Sequence, residues 1–233
     1  MNNYHIWPTT ITEYNSAVLA LQKEKFMEEI YKYHDGNGRA NEFTGHFNLH
    51  HIDALEDIYR EVGFTFRRRF ADMGLRYEDL QVNVIKSWPN VVKDRPTPFH
   101  NHLDAHMSFV YYVNVPEDKA QPLNFTLGNS RAHPNDPYPN FLHRGVNEYS
   151  HITCPTLSLK PVEGNIVVFP SHALHGTPGT GNWDGNQEYV ESLESLYENR
   201  VAIAGDVIFT HISPTPEYGR WEGIQPIMNW RVI

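Results

Sequence analysis

From Leu80 onward the chain breaks into short β-prone segments separated by turn residues, with no helical stretch between them. The segments are Gln81–Ser87, Met107–Val115, Pro122–Thr126, Thr156–Leu159, Asn165–Phe169, Val201–Thr210 and Ile224–Arg231. Strands that follow one another without crossover helices bury their apolar faces in an antiparallel sandwich or barrel. The N-terminal third has a different period. Val18, Leu21, Phe26, Ile30 and Tyr33 predict a helix from Thr12 to Tyr33, stopped by Asp35-Gly36-Asn37-Gly38. Ile52, Leu55, Tyr59, Val62, Phe66, Phe70 and Met73 predict a second helix over 52–73, with Gly74 as its C-cap. The chain thus reads as one domain: a helical part, 1–79, that buttresses a β core, 80–233. Two long polar stretches interrupt the core, at 128–149 and 177–199. Loops of that length are usually functional or disordered, and both are expected to act as lids.

Composition narrows the function. A net charge of −9 opposes general nucleic-acid binding, which needs basic surface to displace counterions. Arg67–Arg69 is the one basic cluster and reads as a solvated helix face. The longest apolar runs, such as Ile166–Phe169, are too short to cross a bilayer, and no secretory signal is evident, so a soluble cytoplasmic protein is expected. Cys154 is the only cysteine; it excludes an intrachain disulfide or thiolate cluster and reads as a structural thiol. Histidine is plentiful, at 14 residues. His46, His50 and His51 have no carboxylate partner and read as surface residues.

The densest chemistry lies in Phe99-His-Asn-His-Leu-Asp-Ala-His106. Residues two apart share one face of an extended chain, so His102 and Asp104 can converge on one ion. A distant histidine would complete a facial set of two histidines and one carboxylate, leaving positions open as non-haem Fe(II) oxygenases require. His172 and His175, in Glu163-Gly-Asn-Ile-Val-Val-Phe-Pro-Ser-His-Ala-Leu-His-Gly176, both qualify, and spacing does not separate them. His100 is placed either to orient a ligand or to face solvent, and His106 beside the site or near the surface. On the strand beginning at Arg200, that arginine shares its face with Ala202 and Ala204, which leaves space for a bound carboxylate against its fork. Met107, Phe109, Tyr111 and Val113 form an apolar face, and Ser108, Tyr112 and Asn114 lie opposite, so Tyr112 is expected to face the metal cavity and Tyr111 the core.

The stretch His100-Asn-His-Leu-Asp-Ala-His-Met-Ser-Phe-Val-Tyr-Tyr112 resembles the metal motif of the 2OG-Fe(II) oxygenases of bacteria and phages, relatives of the prolyl hydroxylases. Ser87-Trp-Pro-Asn90, Gly164 to His175, Arg200 and Trp7-Pro8-Thr9 resemble that family too, so the likeness spans nearly the whole chain. It departs in Leu103, where many members have Pro, in Phe109, where they have Gly, and in the 177–199 insertion before Arg200. The resemblance implies a double-stranded β-helix (jelly roll, cupin-like) and iron bound by His102, Asp104 and His175. It also implies that Arg200 and Tyr112 hold the far carboxylate of 2-oxoglutarate, and that a C–H bond is hydroxylated with release of succinate and CO₂. Trp88, Asn90, Ser108, His100 and His172 are expected around the pocket. The substrate is expected to be a small molecule or peptide, and a homodimer is compatible with exposed β edges. Two rival readings remain: a cupin-like dioxygenase using His100, His102 and His175 without a keto acid, and a non-catalytic jelly-roll binding module.

Overall fold

Side-chain alternation along three central strands decides where the core lies. The computed structural model describes residues 10–36, 47–74, 78, 80–92, 96–126, 156–178, 190–211 and 230–233. Strands β1 (Thr12–Asn15), β2 (Leu80–Val92), β4 (Met107–Asn114), β7 (Asn165–Pro170), β9 (Arg200–His211) and β10 (Arg231–Val232) form a six-stranded sheet in the order β1-β7-β4-β9-β2-β10. Strands β3 (Thr97–His100), β5 (Leu123–Thr126), β6 (Thr156–Leu159) and β8 (Leu174–Thr177) form a four-stranded sheet in the order β3-β8-β5-β6. Every pairing is antiparallel.

On the outer face of the larger sheet, Phe109, Tyr111, Ile166, Val168, Ile203 and Val207 are buried against two helices. These are α2 (Lys23–Gly36), through Phe26, Met27 and Ile30, and α3 (Glu56–Asp72), through Ile58, Tyr59, Val62 and Phe66. On the inner face, Tyr112, Val167, Phe169 and Ala202 meet Leu123 and Phe125 of the smaller sheet. The period-2 pattern therefore sends one residue set to the helices and the next to the space between the sheets. Phe109 is fully buried opposite Gly205 on β9, where a Cβ would come within 2.6 Å of its ring. A large side chain and a missing one fill the same volume.

The N-terminal expectation needs correction. Thr12–Asn15 is a strand that covers the edge of β7. Ser16 then caps a one-turn helix, α1 (Ala17–Ala20), its Oγ accepting the Leu19 N–H, and α2 begins only at Lys23. An unpaired β7 edge overrides local helix periodicity here. The second helix starts at Glu56, after single turns at Leu49–His51 and Asp53–Leu55, and ends at Asp72, with Met73 as its C-cap and Gly74 following at φ +70°. The short strands β3 and β8, and the helix α4 (Leu193–Tyr197) inside the expected 177–199 loop, were not anticipated. Arg69 is buried and donates to Val168 O, and His50 is buried beside Ser87, so neither is the surface residue its composition suggested. The 128–149 loop, Cys154, His46 and most of 224–231 lie outside the described residues. No helix among the described residues is long and apolar enough to cross a membrane.

Candidate metal centre

Two short strands bring the histidines together. β3 pairs with β8 so that His100 stands opposite His175. Gly176 permits that approach, since a Cβ there would lie 2.6 Å from Thr97 O. His102 follows on the loop leaving β3. Its N–H donates to Ser171 O at 2.8 Å, Ser171 N–H to His106 O at 3.2 Å, and His106 N–H to Val207 O at 3.0 Å, which ties the loop to β7 and β9. The ring centroids of His100, His102 and His175 are 5.2, 4.4 and 5.3 Å apart. One ring nitrogen from each lies within 4.8 Å of the others.

Their hydrogen bonds fix the tautomers. The partners of the three Nδ1 atoms can only accept: Pro98 O at 2.8 Å for His100, the Asp206 carboxylate at 2.7 Å for His102, and Ala173 O at 2.9 Å for His175. Each Nδ1 is therefore the donor, which in the neutral ring leaves Nε2 as the atom that can bind a metal. Burial, reinforced by the nearby His100, pushes His175 down to about 3, so it stays neutral well into acid.

Asp206 was not among the expected site residues. It is fully buried and also accepts from Ser108 Oγ at 2.6 Å and Lys86 Nζ at 3.1 Å. Ser108 spends its proton there, so Ser171 donates to Ser108 across their 2.9 Å contact. Burial favours the neutral acid, but the hydrogen bond and charge of His102, with Lys86 and Ser108, hold Asp206 below the usual carboxylate range. The signal was present in its parity with Arg200, Ala202 and Ala204 on β9.

The expected residues divide by position. His175 is buried with the other imidazoles, whereas His172 is exposed. Asp104 does not join them: its side chain is 65% exposed and pairs with Lys86 Nζ at 3.0 Å. His106 is exposed, its Nδ1 accepting the Phe209 N–H. Trp88, Asn90, His100, Ser108, Tyr112 and Arg200 all line one cavity together with His102 and His175. Arg200 is 2% exposed, donates through Nη1 to Gln121 O at 2.9 Å, and has a buried Nε without a partner. No carboxylate among the described residues pairs with it. Tyr112 is pushed up to about 12 by burial, against the pull of the Arg200 charge. The cavity thus offers three imidazole rings and a buried cation that no anion among the described residues pairs with. Those residues fit a divalent metal together with a carboxylate-bearing cosubstrate.

Residues 86–183 match the family model described as "Putative 2OG-Fe(II) oxygenase". No curated protein matches the sequence at a significant level. Among solved structures, the non-heme alpha-ketoglutarate-dependent carbocyclase SnoK from nogalamycin biosynthesis is similar at 9% identity and a TM-score of 0.56, over 97% of this chain and 92% of that one. A prolyl-4-hydroxylase from Pseudomonas putida is similar at 14% identity and a TM-score of 0.49, over 85% and 92%. HygX from Streptomyces hygroscopicus, with nickel and 2-oxoglutarate bound, is similar at 11% identity and a TM-score of 0.47, over 85% and 82%. The likeness to SnoK shows a shared fold, the double-stranded β-helix.

Proposed function

We propose that this chain is a 2OG-Fe(II) oxygenase that oxidises a C–H bond of a small-molecule or peptide substrate, hydroxylation being the expected outcome. In this reading His100, His102 and His175 hold the metal, and Arg200 with Tyr112 holds the far carboxylate of 2-oxoglutarate. Bound iron supplies, with 2-oxoglutarate and O₂, the oxidising power that ends in succinate, CO₂ and oxidised substrate.

The chain's own residues do the rest. Pro98 O, Asp206 and Ala173 O accept from the Nδ1–H groups and so turn each Nε2 toward the metal. Tyr112 and Arg200 form a buried polar end to the cavity, where a carboxylate replaces the missing counter-charge of the guanidinium. Ala202 and Ala204, between Arg200 and Asp206 on β9, leave the floor of the cavity open. Phe169, against His175 with ring centroids 4.7 Å apart, limits water around the metal ligands.

The observation that carries the reading is Arg200, a buried cation with no carboxylate partner among the described residues, in the cavity that holds three imidazoles. The donor set is that of the keto-acid-free alternative, but that arginine and the family match favour 2-oxoglutarate. His100 stands in for Asp104 because Lys86 already holds the Asp104 carboxylate at the rim.

The test is anaerobic titration of the Fe(II)-loaded protein with 2-oxoglutarate, followed by succinate measurement in air. Binding and slow substrate-independent succinate release are expected. An iron-loaded protein that neither binds 2-oxoglutarate nor forms succinate would sink the proposal. Under the same conditions His100→Ala is expected to weaken metal binding by more than tenfold and Asp104→Ala by less than threefold; the reverse order would return Asp104 to the ligand set.

A further inference from the structure

We propose that Asn90 is a third donor to the far carboxylate of 2-oxoglutarate, beside Arg200 and Tyr112. The proposal rests on the functional reading above. Antiparallel register arranges the inner face of the larger sheet in rows across β2, β9 and β4. Asn90 and Tyr112 flank Ala202, and Trp88 and Val110 flank Ala204. Arg200 is the preceding residue on the same face of β9. Asn90, Tyr112, Arg200 and Ala202 all line the cavity, as do Trp88, Val110 and Ala204 of the next row. Neighbouring strands lie about 5 Å apart, and same-face residues about 7 Å apart along a strand. A carboxylate seated over Ala202 therefore has Asn90 on one side, Tyr112 on the other and Arg200 behind it. The small side chain of Ala202 leaves that seat open.

The chemistry of the rows changes in step with the ligand. Polar groups surround Ala202, whereas the Trp88 ring and Val110 surround Ala204. The Trp88 ring in turn lies 5.7 Å from that of His102, centroid to centroid, so the imidazoles follow next. An extended keto dicarboxylate presents a carboxylate, two methylenes and a chelating end in that order. Asn90 itself is half-buried, and its carboxamide has no hydrogen-bond partner among the described residues. A carboxylate accepts about four hydrogen bonds, and an amide NH₂ is a neutral donor suited to one of them. Arg200 cannot fill them all, because its Nη1 already donates to Gln121 O.

The test titrates two keto acids calorimetrically, without oxygen, into the Fe(II)-loaded full-length protein as wild type, Asn90→Ala and Asn90→Asp. One is 2-oxoglutarate; the other is 2-oxopentanoate, which has the same chelating end and a methyl group in place of the far carboxylate. Asn90→Ala is expected to weaken 2-oxoglutarate binding about tenfold, the loss of one hydrogen bond to a charged group. Asn90→Asp is expected to weaken it further, because the introduced carboxylate repels that of the ligand and competes for Arg200. Affinity for 2-oxopentanoate is expected to stay within threefold. Unchanged 2-oxoglutarate affinity in Asn90→Ala, or an equal loss for both keto acids, would overturn the inference. The functional reading would then still stand on the weaker binding of 2-oxoglutarate by Arg200→Leu. A wild type that binds no 2-oxoglutarate would overturn both. Should 2-oxopentanoate bind too weakly to measure, the order of the variants decides: Asn90→Asp binding 2-oxoglutarate as well as Asn90→Ala would refute the donor. Should Asn90→Ala fail to fold, Asn90→Asp, of nearly the same shape, carries the test, and wild-type affinity in that variant would refute it.

Discussion

At Arg200 a guanidinium lies 2% exposed, with one carbonyl as its hydrogen-bonded partner. Burial alone lowers its affinity for a proton, against the pull of Tyr112. The site is therefore poised to gain from an anion, because a carboxylate relieves the desolvation already incurred. Replacing Arg200 with Leu is expected to raise the KM for 2-oxoglutarate, or its Kd in the iron-loaded protein, by about 10–100-fold, the value of a charged hydrogen-bonded pair of about 1.5–3 kcal/mol. Metal affinity is expected to stay within threefold, since Arg200 donates to Gln121 O and not to one of the Nδ1 anchors of the imidazoles. Isothermal titration with metal and then keto acid separates the two, and a parallel loss of metal binding would place Arg200 in the scaffold. Parity alone marked Arg200, Ala202 and Ala204 as one face, because alternation is a local property of an extended chain. It marked Asp206 equally, but a carboxylate on such a face has no meaning until His102 arrives from a loop 104 residues away.

Elements show where local patterns yield to neighbours. β9 is central in the larger sheet, between β4 and β2, and Gly205 lies beneath the Phe109 ring. Gly205→Ala is expected to destabilise the fold by about 1–3 kcal/mol through overpacking, read from the urea midpoint. Combining it with Phe109→Val is expected to recover part of that loss, and no recovery would mean that the conflict lies with Lys86 O, 2.9 Å from the same Cβ. The pairing accounts for the bulk of Phe109, because Gly205 on β9 leaves room for its ring. The stretch Thr12–Asn15 teaches the opposite lesson. Its residues fit a helical period, yet the edge of β7 takes them as β1, and Ser16 N–H donates to Gly164 O to begin the turn into α1. β3 and β8 carry strand-disfavouring residues, Pro98 and Gly176, unlike the equally short β5 and β6 that the sequence announces, and only their pairing identifies them.

Taken whole, the molecule is a sandwich with helices on one outer face and a ligand cavity between its sheets. Both sheets contribute to that cavity: His175 comes from the smaller, Arg200 and Tyr112 from the larger. Ligand binding therefore ties the layers together. At 100 times its Kd, 2-oxoglutarate added to the metal-loaded protein is expected to add about 2.7 kcal/mol of stability. That corresponds to a rise in Tm of about 5–10 °C for a chain of this size. Calorimetry is expected to show the rise in wild type and not in Arg200→Leu; a rise in both would place the keto acid elsewhere. By itself the sequence determined the fold class, the two faces of β4 and β9, and the segments carrying the chemistry, because these follow from period-2 alternation and residue type. Only the tertiary structure decided which side chains converge. His100 and Asp104 flank His102 at equal spacing and equal parity, so nothing local separates them. β8 pairs with β3 and sets His100 opposite His175, while Asp104 pairs with Lys86 on β2, and both contacts come from strands distant in sequence.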